Sequence, residues 1–138
     1  MIHPAIRSSP VPADRSLRSR TLALTAARVA WENRAADIVL LDMRELTPIF
    51  DYFLIATGTS RRQLHAVSEE IDHVLQDELG DKRLGLEGYQ DSRWILLDYG
   101  SLVIHLFDEE TRRFYDLEHL WAGASQVDLS DAVAPRRR

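Results

Sequence analysis

Apolar residues recur along the chain with two different periods, and the order of these periods predicts the order of helices and strands. In residues 20–34 apolar positions recur every three or four residues, which is the spacing of one buried helix face. Residues 37–43 and 52–57 are short, mostly apolar runs. Because such runs are too short for surface helices, they predict two central strands.

The second predicted helix has the clearest boundaries. Ser60 and Gln63 have the spacing of a capping box, and Gly80 supplies a stop. One apolar stripe at helical spacing lies between them: Leu64, Val67, Ile71 and Val74.

Strand character returns in the last third of the chain. Residues 85–89, 94–99 and 102–107 are three such runs, and the last two are separated by the tight Gly100-Ser101 corner, which predicts a hairpin. Asp108 then has the position of a cap for a final helix. The apolar residues of that helix are Phe114, Leu117, Leu120 and Trp121.

The order α, β, β, α, β, β, β, α predicts an α/β or α+β fold with a single mixed sheet of about five strands flanked by helices. Residues 1–18, with three of the five prolines, predict a flexible leader. Residues 19–121 form the predicted domain, and residues 122–138 a flexible C-terminal tail. The leader is rich in arginine and serine and has one acid, so an organellar transit peptide is the alternative interpretation.

Composition narrows the classes of function. The absence of cysteine excludes disulfides, thiolate metal ligands and thiol catalysis, and no apolar run approaches the roughly 18 residues of a membrane span. Residues 37–121 contain 18 acidic against 8 basic residues, a net charge of −10, whereas the two ends contain 9 arginines against 4 acids. An acidic domain repels phosphate, so we expect a basic partner surface and no sequence-specific contact with nucleic acid.

Two groups of residues suggest chemistry only weakly. The turn Gly58-Thr59-Ser60 before the second helix has amides that could face a phosphate, but it lacks the lysine of a Walker loop and the further glycines of a dinucleotide site. His65, Glu69 and His73 share one helix face, yet their spacing differs from that of a zinc helix and a solvated polar face explains them better. We therefore predict no catalytic residue, no cofactor and no metal.

The predicted hairpin is more informative. Alternation places Trp94, Leu96 and Asp98 on one side of their strand, and Tyr99 on the other side with two further apolar residues. Burial of both sides by helices is one interpretation. The other is a partly covered side on which Trp94, with nearby Tyr89 and Tyr99, forms an apolar patch for a protein partner, and Asp98 faces a basic group at its rim.

Several separated motifs carry a resemblance to a known family. They are DYF at residues 51–53, GTS at 58–60, EGY at 87–89, Trp94 with LDYG at 97–100, VIHLF at 103–107, and FYDLE with LW at 114–121. In this order, and across residues 22–121, the chain resembles the ribosomal silencing factor family, also called the Iojap family. The leader and the terminal arginines are not part of the shared pattern.

The resemblance implies a function. It implies a nucleotidyltransferase-like topology without enzyme activity, in a factor that binds the large ribosomal subunit through large-subunit ribosomal protein fourteen. By occupying the face where the small subunit docks, such a factor blocks subunit joining and represses translation when nutrients are limiting. It further implies a homodimer when the protein is free, and a location in the bacterial cytoplasm or in an organelle.

The resemblance also assigns contact residues. The family's contact surface includes the tryptophan-bearing hairpin, which assigns partner contact to Trp94, Asp98 and Tyr99, with Tyr89 and His105 as weaker candidates. The alternative function is a nucleotide-binding or nucleotidyl-transfer enzyme that uses the turn at residues 58–60.

Overall fold

The computed structural model describes residues 13–130 and 132–133. Most of the predicted leader and the terminal arginines lie outside the described residues, so the division into leader, domain and tail stays a prediction. The helices are α1 (Ala13–Glu32), α2 (Arg61–His73), which continues as one π-helical turn (Val74–Glu78), α3 (Glu109–Tyr115) and α4 (Leu117–Leu120). The strands are β1 (Ala36–Asp42), β2 (Tyr52–Thr57), β3 (Gly85–Glu87), β4 (Trp94–Asp98), β5 (Leu102–Phe107) and β6 (Ser125–Gln126).

The strands form one six-stranded mixed sheet in the order β3-β4-β5-β2-β1-β6. Strands β2 and β5 run parallel, and the other neighbours are antiparallel. This confirms the predicted fold class and the hairpin of β4 and β5. All six residues of β2 and all six of β5 are buried, as their apolar runs predicted.

Helices α1 and α2 cover one face of the sheet, which we call the first face. Leu22 of α1 and Leu64 of α2 belong to its core, together with Leu54 of β2 and Ile104 of β5. Ser60 is confirmed as the N-cap, since its hydroxyl accepts the Gln63 amide at 3.0 Å, whereas the Gln63 side chain accepts from the Thr59 amide and not from that of Ser60. The predicted apolar stripe of α2 also packs on the sheet, because all four of its residues belong to the core of the first face.

The second face of the sheet has a thinner cover. Its core contains Phe53, Ile55, Val103 and Phe107 from the central strands and Leu117 from the four-residue helix α4. Trp121 packs beside this core and is itself partly exposed. The second face is consequently the side of the sheet where apolar side chains remain accessible.

Three elements differ from the sequence prediction. Helix α1 begins at Ala13, so residues 13–18, assigned to the leader by composition, are helical. The predicted final helix is two helices, because Asp116 takes a left-handed conformation with φ 49° between them. Strand β6 lies in the predicted tail and pairs with β1; two residues are too few to show a period.

No helix among the residues described is both long enough and apolar enough to span a bilayer.

Candidate functional site

The second face carries a continuous line of rings, which we call the aromatic strip: Phe50, Phe53, His105, Trp94 and Tyr115. Phe50 stacks on Phe53 at 4.5 Å between centroids, and Phe53 meets His105 edge-on at 4.5 Å. Trp94 lies 5.9 Å from His105 and 4.7 Å from Tyr115. The strip runs from β2 across β5 and β4 to α3, and it is partly exposed at Phe50, Trp94 and Tyr115.

Close contacts on two sides constrain the backbone around Trp94. Trp94 begins β4 and pairs with Phe107 of β5, whose ring lies 4.9 Å from the indole. On its other side the β3–β4 loop approaches so closely that a Cβ built at Gly88 would lie 2.0 Å from the Trp94 carbonyl oxygen. Only glycine fits there, and its φ of +76° also favours glycine.

His105 is the buried member of the strip, with 4% of its surface exposed. The indole Nε1–H of Trp94 donates to Nδ1 of His105 at 3.0 Å, whereas the buried Nε2 of His105 has no hydrogen-bond partner within the described part of the chain. Burial lowers the pKa of His105 to about 4, so the ring is neutral near pH 7. The imidazole thus acts here as a hydrogen-bond acceptor and not as a charge.

Asp98 and Leu96 continue the exposed side of β4. Both are partly buried, and the Asp98 carboxylate accepts the Gly100 amide at 2.8 Å, which fixes the hairpin turn. Leu96 pairs with His105 across the hairpin. One face of β4 therefore presents an indole, an aliphatic side chain and a carboxylate in a row, as alternation predicted.

A cavity of about 450 Å³ adjoins Trp94 and was not predicted from the sequence. Its lining residues are Asp91, Arg93, Trp94, Glu110, Thr111, Phe114 and Tyr115. Phe114 is 78% exposed, although its spacing placed it on the buried stripe of a single final helix. The left-handed residue Asp116 separates α3 from α4, so the side chains of Phe114 on α3 and Leu117 on α4 point in different directions.

The structure does not bring Tyr99 and Tyr89 together with Trp94. Tyr99 points to the first face, is 4% exposed and donates its hydroxyl to Asp72 at 2.7 Å. Burial and this hydrogen bond raise its pKa. Tyr89 stacks on His65 of α2 at 4.0 Å and donates to Glu69. The predicted patch of three aromatic residues is therefore divided between the two sides of the hairpin.

The turn at residues 58–60 uses its amides within the protein. The Gly58 amide donates to the Phe107 carbonyl at 2.9 Å, and the Thr59 amide to the Gln63 side chain at 2.7 Å. A Cβ at Gly58 would lie 2.6 Å from Leu64, so the glycine serves helix packing. This geometry favours the structural interpretation of the turn over phosphate binding.

The helix face with two histidines is likewise engaged in local contacts. His65 Nε2 lies 2.7 Å from the Tyr89 carbonyl oxygen and 2.6 Å from the Ser92 hydroxyl, and His73 pairs with Asp77 at 2.8 Å. Within the described part of the chain, no group of three or more potential ligands could hold a metal ion.

The fold and the second face together define a class: an α+β domain with one thinly covered sheet face that presents aromatic side chains, the residue type enriched at protein-docking surfaces. The chain belongs to the ribosomal silencing factor family, since residues 16–138 match the family described as "Ribosomal silencing factor during starvation".

Individual relatives and solved structures agree with this membership. The chain is 34% identical over 118 residues to a ribosomal silencing factor of Halalkalibacterium halodurans, covering 86% of this chain and 100% of that protein. It is 37% identical over 113 residues to the Bacillus subtilis factor, covering 82% and 95%. A crystal structure of a Chromobacterium violaceum protein superposes with a TM-score of 0.71 at 31% identity, covering 79% of this chain and 89% of that chain.

A relative from an organelle is named for assembly of the ribosome and not for its silencing. The mouse protein called mitochondrial assembly of ribosomal large subunit protein 1 is 34% identical over 130 residues, covering 93% of this chain and 57% of that protein. The names of these relatives describe silencing and assembly factors and not enzymes.

Proposed function

We propose that this protein is a non-catalytic factor that binds the large ribosomal subunit and prevents the small subunit from joining it. Translation would fall as a result when nutrients are limiting. The family membership supports ribosome association, because the relatives are named for silencing ribosomes or assembling the large subunit. As the direct contact we propose large-subunit ribosomal protein fourteen.

The observation that carries the proposal is the partly exposed indole of Trp94 on a sheet face with little helical cover. Tryptophan is enriched among residues that dominate binding energy, above all where neighbouring side chains exclude water. Here such neighbouring side chains are already in place in the free protein, since the ring centroids of Phe107 and Tyr115 lie 4.9 Å and 4.7 Å from that of the indole. The same face carries Asp98, whose carboxylate suits a lysine or arginine of a basic partner.

The net charge supports a protein partner over ribosomal RNA. Residues 37–121 have a net charge of −10, so the field of the domain disfavours approach to phosphate and favours a basic protein surface. Exclusion of the small subunit then needs no chemistry, because a domain on the joining face is a steric obstacle. We propose the bacterial cytoplasm as its location, with an organelle as the alternative, and a homodimer as the free state.

Co-sedimentation with isolated large subunits tests the proposal. We expect wild-type protein to bind and to inhibit subunit joining, and Trp94→Ala to lose about 2 kcal/mol of binding, roughly 30-fold in affinity. Trp31→Ala is the matched control, because Trp31 lies on α1, the helix that covers the opposite face of the sheet. Thermal unfolding of both variants checks that the fold survives.

Two results would contradict the proposal. One is wild-type protein that stays free of large subunits at low salt. The other is a folded Trp94→Ala variant that binds and inhibits as well as Trp31→Ala.

A further inference from the structure

The hydrogen bond between Trp94 and His105 fixes where the protons of both rings are. An indole Nε1–H only donates, and it lies 3.0 Å from Nδ1 of His105. Nδ1 must therefore accept, which places the proton of the neutral imidazole on Nε2.

This arrangement leaves a buried donor unsatisfied. Nε2 of His105 is enclosed and has no hydrogen-bond partner among the described residues. The neighbouring rings of Phe53 and Phe107 offer no acceptor atom of the ordinary kind. Because a buried donor without a partner destabilises the folded state, an aliphatic side chain would suit the fold better at this position.

The contribution that a histidine makes here, and an aliphatic residue cannot, is the acceptor at Nδ1. The ring contacts of Trp94 with Phe107 and Tyr115 are tilted, at 34° and 48° between ring planes, and are less directional than a hydrogen bond to one ring atom. With 4% of its surface exposed, His105 offers almost nothing for a partner to touch.

We propose that His105 is a positioning residue, which holds the Trp94 indole in one orientation through Nδ1 so that a docking partner meets a pre-set anchor. This inference rests on the proposed docking role of Trp94, and it replaces the expectation that His105 itself contacts the partner. An anchor ordered before binding lowers the entropy cost of association.

Nuclear magnetic resonance on ¹⁵N-labelled wild-type protein tests the pair without any ribosome. At pH 7 we expect the Nε2-protonated tautomer of His105 and a scalar coupling across the hydrogen bond between Trp94 Nε1 and His105 Nδ1. A proton on Nδ1, or a Trp94 indole N–H that exchanges with solvent as freely as an exposed one, would overturn the proposal.

Binding to isolated large subunits tests the consequence. His105→Leu removes the acceptor and should weaken binding about fivefold to tenfold. His105→Asn keeps an acceptor oxygen near the position of Nδ1 and should restore most of the affinity. In a Trp94→Phe background, which lacks the donor, the two His105 variants should bind equally.

The outcomes separate this inference from the proposed function. Failure of the wild-type protein to bind large subunits ends the proposed function, and with it the docking role assigned to the pair. The positioning role alone is overturned if the wild-type protein binds normally and His105→Leu loses the same affinity in two backgrounds. Those backgrounds are the one that retains Trp94 and the one that carries Trp94→Phe. If His105→Leu does not fold, two other measurements decide the positioning role: the tautomer of His105 in the wild-type protein and the affinity of His105→Asn. An affinity of His105→Asn equal to that of the wild type supports the role, and a tenfold loss refutes it.

Discussion

Acidification should destabilise the protein through His105, and the size of the effect follows from burial. In the folded state burial holds the pKa of this imidazole at about 4, whereas an exposed histidine titrates near 6.5. As the pH falls, the unfolded chain binds this proton before the folded protein does. The free energy of unfolding is therefore unaffected by His105 titration above about pH 6.5 and falls progressively toward pH 4. At about 1.4 kcal/mol per unit of pKa difference, the loss between pH 7 and pH 4 is about 3 kcal/mol.

The assay is urea unfolding at a series of pH values between 4 and 7, for wild type and for His105→Leu. Other groups titrate in this range, but they are common to both proteins, so the difference between the two curves isolates His105. His119→Leu is the matched control for the loss of a histidine, because the side chain of His119 is 86% exposed and lies outside the buried cluster. Parallel curves for wild type and His105→Leu would refute the assignment of a buried neutral imidazole.

Two further substitutions probe the supports of the docking face. Gly88→Ala should cost at least about 2 kcal/mol in urea unfolding and weaken binding to large subunits, because its Cβ would meet the Trp94 carbonyl oxygen at 2.0 Å. Gly80→Ala, with a similar φ of +71° but open space around it, should cost only about 1 kcal/mol, and equal losses would contradict the steric argument. Arg112→Met should cost about 2–3 kcal/mol, because this guanidinium pairs with Glu118 at 2.6 Å and donates to Thr57 and to the Asp37 carbonyl at 2.7 Å. A near-neutral Arg112→Met would show that α3 and α4 dock without this ion pair.

The elements that the sequence predicted well are those with a strong local signal. Ser60 and Gln63 form the expected cap, and Asp108 caps α3 by accepting the Thr111 amide at 2.7 Å. The alternation in β4 also placed Trp94, Leu96 and Asp98 correctly on one side of the strand, since period two is a direct consequence of strand geometry. It left open whether that side is covered, and the structure shows partial cover.

The parts that were missed depend on tertiary contacts. Phe114 and Leu117 have helical spacing, but Asp116 between them is left-handed, so their side chains point in different directions. No single residue type predicts such a break in a helix. Tyr89 is near Trp94 along the chain, yet stacking on His65 of α2 directs it to the other side of the hairpin. The hydrogen bond from Trp94 to His105 joins two strands, so periodicity within one strand could not reveal it.

The two edge strands of the sheet bear on whether a partner could bind by adding a strand. An exposed edge strand can recruit a partner strand through its backbone, but here both edges are short: β3 has three residues and β6 has two. Glu87 adds an exposed carboxylate to β3. Recognition by strand addition is therefore disfavoured, which leaves the accessible side chains of the second face, Trp94 among them, as the proposed contact. This is why the orientation of a single indole, set by a buried histidine, can decide affinity on a surface that offers a partner little backbone to pair with.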